Sequence, residues 1–206
     1  MTRVHKAVAA PVRRPVRRPR DAGATRSAIL ASARAAFAQA GYDGAGVREI
    51  AARAGVSAML INRYFGSKEK LFAEVVADTI ASPVILTPET LQSGDIGAEI
   101  ARALVALTRP GAAPLDGFQV MLRSVANPRA AAINRDQIER HHQKNLSGAL
   151  AGPHAAERAA LVLALVAGIQ LMRQTLAIKA LAKADPALLT RLITPLVEAL
   201  VAPSKA

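Results

Sequence analysis

No stretch of this chain restricts its fold as much as VREIAARAGVSAMLINRYF, residues 47–65. Two short helices that cross steeply over a turn of about three or four residues need a small residue where they touch. They also need a turn residue that tolerates positive φ, and apolar plugs that fix the pair to the body. Ala51 meets the first need and Gly55, four positions later, the second; Val56 and Ile61, backed by Ile50 and Ala54, meet the third. Ser57 stands where the second helix requires an N-cap. The stretch therefore predicts a helix-turn-helix. Its continuation, INRYFGSKEKLF, predicts a break at Gly66 and a new helix capped by Ser67, with Leu71 and Phe72 facing inward.

The flanking pattern is helical as well. TRSAILASARAAFAQAG offers Thr25 as N-cap, Ile29, Leu30, Ala33, Ala36 and Phe37 on a helical period, and Gly41 as the stop. The helix opened by Ser67 runs to Ser82-Pro83. Asp95 caps a helix to about Leu107, Pro114 begins one carrying Phe118 to Val125, and Asn127-Pro128 starts a long polar one ending near Gly148. The last two are the most apolar, from about Ala155 to Ala182 and, after Asp185-Pro186, to about Val201. No segment alternates like a strand. The prediction is an all-α protein of about nine helices, with a basic arm at 1–24, a helix-turn-helix domain at 25–75 and a second helical domain at 76–206.

Charge separates these parts. Residues 1–24 carry seven basic residues and one acid, 25–75 seven and four, 76–206 thirteen and ten, so most of the net +12 lies in the first third. That is the distribution of a polyanion-binding end. The arm PVRRPVRRPR, residues 11–20, cannot form the amphipathic helix of a transit peptide, because Pro11, Pro15 and Pro19 prevent it. The N-terminus also lacks the apolar core and cleavage site of an export signal. The apolar run 159–172 is shorter than the roughly 18–20 residues of a bilayer crossing and reads as a buried helix. No cysteine is present, which suits a reducing cytosol. Four scattered histidines offer no zinc site, and His141 and His142, adjacent on a helix, diverge too far to share one ion. No cofactor is expected. Nucleophile elbows, phosphate-cradling glycine loops and paired carboxylates are all missing, so no catalytic residue is expected either.

The set T-x-x-x-I-L…F…G-Y…V-x-x-I-A-x-x-A-G-V-S…Y-F-x-S-K-E-x-L over residues 25–75 resembles the DNA-binding domain of the TetR family of bacterial transcription regulators. MLRSVANPRAAA and the final helix pair are similar to the C-terminal part of such regulators. The resemblance implies an all-helical cytoplasmic homodimer: a three-helix DNA-binding head, a linking fourth helix and a C-terminal domain for ligand binding and dimerisation. Two positions depart from it. Ala45-Gly46 stand where the family usually has Thr or Ser, and Met59 replaces a frequent Gly.

The expected DNA face consists of Ser57, Ala58, Met59, Leu60, Asn62 and Arg63 on the recognition helix. Arg63 and Asn62 have the groups to read bases, and Ala58, Met59 or Leu60 can touch thymine methyls. Tyr64 and Lys68 are expected as phosphate clamps, and Arg26 and Arg48 as backbone contacts. In the arm, Arg17, Arg18 and Arg20 either enter an A·T-rich minor groove or attract phosphates without selectivity. Phe118, Met121, Leu122, Gln170, Met172, Arg173 and Gln174 are candidate ligand contacts, the last group equally readable as an exposed polar stripe. Six aromatic residues in all disfavour an effector held by ring stacking. Wide apolar stripes around Leu165, Ile169 and Leu189 suit a dimer built from the last two helices, 155–182 and 185–201. The expectation is thus a dimeric repressor on a palindromic operator, released by a small, largely apolar effector. The alternatives are an architectural, nucleoid-type DNA binder without switching and an enzyme using the motif as a scaffold.

Overall fold

A computed structural model describes residues 22–112 and 115–202 of the chain. Helix α1 spans Ala22–Gly44. It begins before Thr25, since Ala22 and Ala24 carry the lowest helical cost of any residue. Thr25 is therefore not an N-cap but a buried residue one turn inside the helix. Gly41 breaks α1 as expected, at φ 70° and ψ −177°, a backbone region that is essentially glycine-only.

Helices α2 (Val47–Ala54), α3 (Ala58–Phe65) and α4 (Lys68–Ile80) follow. Gly55 takes the left-handed conformation, φ 64°, and the Val56 N–H donates to the Ala51 carbonyl at 2.9 Å, closing the turn. Ser57 Oγ accepts from the Leu60 N–H at 3.3 Å and Ser67 Oγ from the Lys70 N–H at 3.1 Å, so both predicted caps form. At α2 the cap residue is Gly46, and no side chain caps the helix, as the missing hydroxyl requires. Ile29, Phe37, Ile50, Ile61, Leu71 and Phe72 are fully buried together, with the Phe37 and Phe72 rings edge to face at 5.0 Å.

The rest of the described chain comprises α5 (Pro88–Gln92), α6 (Ile96–Leu107), α7 (Asp116–Ser124), α8 (Pro128–Ile138), α9 (Lys144–Ala149), α10 (Ala155–Gln170), α11 (Lys179–Ala182) and α12 (Pro186–Val201). Asp95, Asn127 and Asp185 cap α6, α8 and α12 through their side-chain oxygens. Pro114, expected to open α7, lies outside the described residues. The helices outnumber the expected nine partly because α5 and α11 are short. They also do so because π-helical turns interrupt two runs, Glu139–Gln143 between α8 and α9 and Leu171–Thr175 after α10. The single helix expected over 155–182 therefore ends in a π-turn and a positive-φ residue, Ala177 at φ 50°.

The second π-turn has a visible cause. It swings Arg173 onto the carbonyl end of α6, where the guanidinium donates to Val105 O at 2.7 Å and Thr108 Oγ1 at 2.8 Å, and to Leu181 O at 3.2 Å. Gln174 Nε2 adds a bond to Leu107 O at 3.0 Å. These donors satisfy carbonyls that a helix C-terminus leaves open. At the other end of α10, Arg158 does the same for α12, reaching Leu200 O and Ala202 O.

These bonds bear on the sequence reading of 159–172, which needs correcting. The run Ala155–Thr175 has 21 residues and is long and apolar enough for a bilayer crossing by those measures alone. Its buried Arg158 and Arg173, both bonded within the chain, make it a helix of the second core instead, alongside Ile100, Leu104, Leu146 and Val197. It is not wholly buried, since Leu161 remains exposed.

Helix α7 packs on α1, α4 and α8. Its Val120, with Ala130 of α8, belongs to the first core. A Cβ at Gly41 would lie 2.2 Å from the Arg123 carbonyl oxygen, and one at Gly117 2.0 Å from Thr79 Cγ2, so α7 rests directly on α1 and α4. The Tyr42 N–H donates to Ser124 Oγ at 3.0 Å, and Asn127 Nδ2 to Asp43 Oδ1 at 2.8 Å.

Candidate functional site

Two surfaces stand out. The first is the outward side of α3. Ile61 and Phe65 pin its inner face in the first core, which turns Met59, Asn62 and Arg63 outward, Met59 being 81% exposed. Ala58 and Leu60 are half-buried, Ala58 packing on the core, so they are less open than their positions in the sequence suggest. The Ser57 hydroxyl oxygen accepts from the Leu60 N–H in capping, and its own O–H is left to donate. Half-buried Tyr64 lies 6.3 Å from the Phe65 ring.

The charges around α3 are partly spent inside the protein. Arg26 is ion-paired with Glu74 and stacks over the Phe65 ring at 5.2 Å. Arg34 pairs with Asp78, and Arg53 with Glu49 at 2.9 Å. Lys68 Nζ donates to the Asp43 carbonyl at 3.4 Å and sits 4.9 Å above the Tyr42 ring, which holds the ammonium beside the start of α4. Among the described residues, Arg48 and Arg63 are exposed and have no ion-pair partner. Uncompensated cations beside an exposed helix face form a surface suited to phosphates and base edges. Arg17, Arg18 and Arg20 lie outside the described residues.

The second is a cavity of about 430 Å³ between the two cores, within the usual range of small-molecule sites. Val76 and Ile80 of α4, Ile85 and Leu86, Phe118 and Met121 of α7, Ile138 of α8 and Leu163 and Val166 of α10 supply most of its wall. Its polar lining is sparse: the Arg34–Asp78 pair, Thr79, Ser82, Asp116, Asn134, His142 and Gln170. Burial, and then the neighbouring His141, push the His142 imidazole below its ordinary value of 6.5. Neutral imidazole is thus the form that faces the cavity.

Of the seven candidate ligand contacts, Phe118, Met121 and Gln170 line this cavity; Leu122, Met172, Arg173 and Gln174 do not. The π-turn is the reason for the last two. In a regular helix Gln170, Arg173 and Gln174 would share a face, but here Gln170 faces the cavity while Arg173 and Gln174 face the end of α6. Nor do they form an exposed polar stripe, since Gln170 and Arg173 are 6% and 3% exposed. His142, readable from the sequence as surface or pocket-lining, stands on the cavity wall, whereas sequence reasoning missed Asn134 and the Arg34–Asp78 pair. Asn134 carried a signal, standing four residues after buried Ala130 and four before Ile138, on the inward face of α8.

Residues 29–75 match the family model for bacterial regulatory proteins of the tetR family, and residues 95–201 that for the tetracyclin repressor-like C-terminal domain. No curated protein matches the chain. A TetR-family regulator from Streptomyces coelicolor is 27% identical, with 90% of this chain and 98% of that one covered and a TM-score of 0.56. The fold is shared with the multidrug binding protein EbrR, solved with ethidium, at 19% identity, 84% and 98% coverage and a TM-score of 0.63. A TetR-family regulator from Rhodococcus gives 17% identity, 87% and 100% coverage and a TM-score of 0.62. With its head and more than half its length matched to these models, the chain belongs to the TetR family, whose members are DNA-binding transcription regulators and not enzymes.

Proposed function

We propose that the protein is a homodimeric repressor of the bacterial cytosol that holds a palindromic operator and leaves it when a small, largely apolar molecule fills the cavity. Two copies of α3 enter successive major grooves about one DNA turn apart. The ligand prefers a spacing of the heads that fits the DNA less well and so shifts the population off it. The observation that carries this reading is the outer face of α3, where Met59, Asn62 and Arg63 project from a helix locked from behind. Arg63 and Asn62 reach base edges, Met59 with Ala58 and Leu60 meets thymine methyls, and Ser57, Tyr64, Lys68, Arg26 and Arg48 hold phosphates. The arm residues Arg17, Arg18 and Arg20 follow the backbone into the adjacent minor groove.

The cavity supports the switch by its position, because α4 supplies part of its wall and also packs against the head. EbrR, of the same fold, binds ethidium, which supports a small-molecule role for this cavity. Dimerisation is assigned to the open sides of α10 and α12. Footprinting on the DNA upstream of the protein's own gene, with and without cell extract, tests the proposal. A symmetric protected site with half-sites one turn apart, lost on adding extract, is expected. Protection indifferent to sequence and unchanged by extract would replace it with the architectural reading.

A further inference from the structure

Resting on the effector reading, the cavity wall narrows the chemistry of what it can hold. Asn134 is 5% exposed and Gln170 6%, both line the cavity, and the buried Asn134 Nδ2 and Gln170 Oε1 have no hydrogen-bond partner among the described residues. Buried amides left in this state cost free energy that a partner in the cavity would recover. The charged wall groups behave differently. Arg34 and Asp78 form a pair of zero net charge, with the buried Arg34 Nε–H left as a further unpaired donor, and Asp116 is exposed at the start of α7. His142 faces the interior as a neutral ring. Among the described residues of the wall no buried, uncompensated charge remains to receive an ionic ligand, and an ion entering without a counter-charge would lose its hydration. Among the described residues Phe118 is the one phenylalanine, tyrosine or tryptophan in the lining, so a flat ring system finds little to stack on. At the packing density of protein interiors the space holds on the order of 15–20 non-hydrogen atoms.

We infer that the cavity takes an electrically neutral, mainly aliphatic molecule bearing an uncharged hydrogen-bonding group, such as an amide, hydroxyl or carbonyl, for the Asn134 and Gln170 side chains. The polar group gives selectivity, because a site with unpaired hydrogen-bonding groups discriminates strongly against ligands that leave them unpaired. The aliphatic part supplies affinity through the surrounding valine, leucine and isoleucine side chains.

Decanamide, decanoate and decylammonium differ almost only in the head group, and titration calorimetry on the full-length protein at pH 7.5 compares them. Decanamide is expected to bind about tenfold or more tighter than either ion. Asn134→Leu and Gln170→Met should erase most of that preference while leaving thermal stability equal or higher, since each removes an unpaired buried group for an apolar one. Binding of none of the three, or preference for an ion, overturns the inference. So do variants that lose stability yet keep the amide preference, which would make these side chains structural. DNA retention is followed in parallel by anisotropy on the footprinted site. Decanamide binding without release upholds the cavity chemistry and removes the switch; release by cell extract with no decanamide binding does the reverse.

Discussion

Gly41 shows how much one residue decides. It combines a glycine-only backbone conformation with a hydrogen where any side chain would strike the Arg123 carbonyl. Gly41→Ala must either move α7 off α1 or straighten the kink, and a loss of at least about 3 kcal/mol is expected, read from the urea midpoint. His142 offers a subtler test. Its folded pKa lies below the ordinary 6.5 because burial and His141 disfavour the charged ring. The unfolded chain therefore takes up the proton first as pH falls. Stability attributable to this group is complete above about pH 6.5 and declines as pH drops through that value to the lower folded one. The other charges on the same cavity wall are Arg34, Asp78 and Asp116. Thermal melts between pH 8 and 5 should show this slope, and His142→Gln should reduce it.

Among elements, the proposed function divides the DNA contacts of α3 and α4 by kind. Arg63→Ala should alter base preference across a set of operator variants, whereas Lys68→Ala should weaken binding to all of them about equally; the reverse pattern would undo both assignments. Helices α10 and α12 carry the assembly prediction. Leu189, expected on the dimer face, is buried in the chain's own core, and the apolar groups left open are Leu161, Leu188, Leu192 and Leu196. Such a face on adjacent helices calls for a partner, and Leu192→Asp should halve the mass seen by light scattering. How far these elements can be read from sequence varies with what fixes them. Ser57, Ser67, Asp95, Asn127 and Asp185 announce helix starts through local hydrogen bonding, and Ala51-x-x-x-Gly55 announces the turn by sterics. The π-turns are invisible there, because a periodicity of about 3.6 cannot register an extra residue, and the one at Leu171–Thr175 answers to a distant carbonyl at Val105. Pro195 is likewise accommodated inside α12. The cavity is legible at Phe118, Met121 and Gln170, and more faintly at Asn134 and His142; the Arg34–Asp78 pair joins them through tertiary packing alone.

For the whole molecule, charge and core organisation pull in different directions. Seven of the 27 basic residues lie in residues 1–24, so truncating residues 1–21, which spares α1, should flatten the salt dependence of DNA binding by roughly 0.9 in log-log slope for each phosphate no longer neutralised. If the arm enters the minor groove, the truncation also reduces preference for A·T flanks. Binding isotherms at several salt concentrations on A·T- and G·C-flanked sites measure both. The head cannot be separated in the same way. Its core is completed by Val120 and Ala130, and its first helix is seated on Arg123 and Ser124. Exchange of DNA specificity between relatives therefore cannot proceed by splicing at the end of α4, where family boundaries invite the cut. A chimera joined there would bring an unfamiliar surface against α7, and the workable graft is one that carries its own α7 with it.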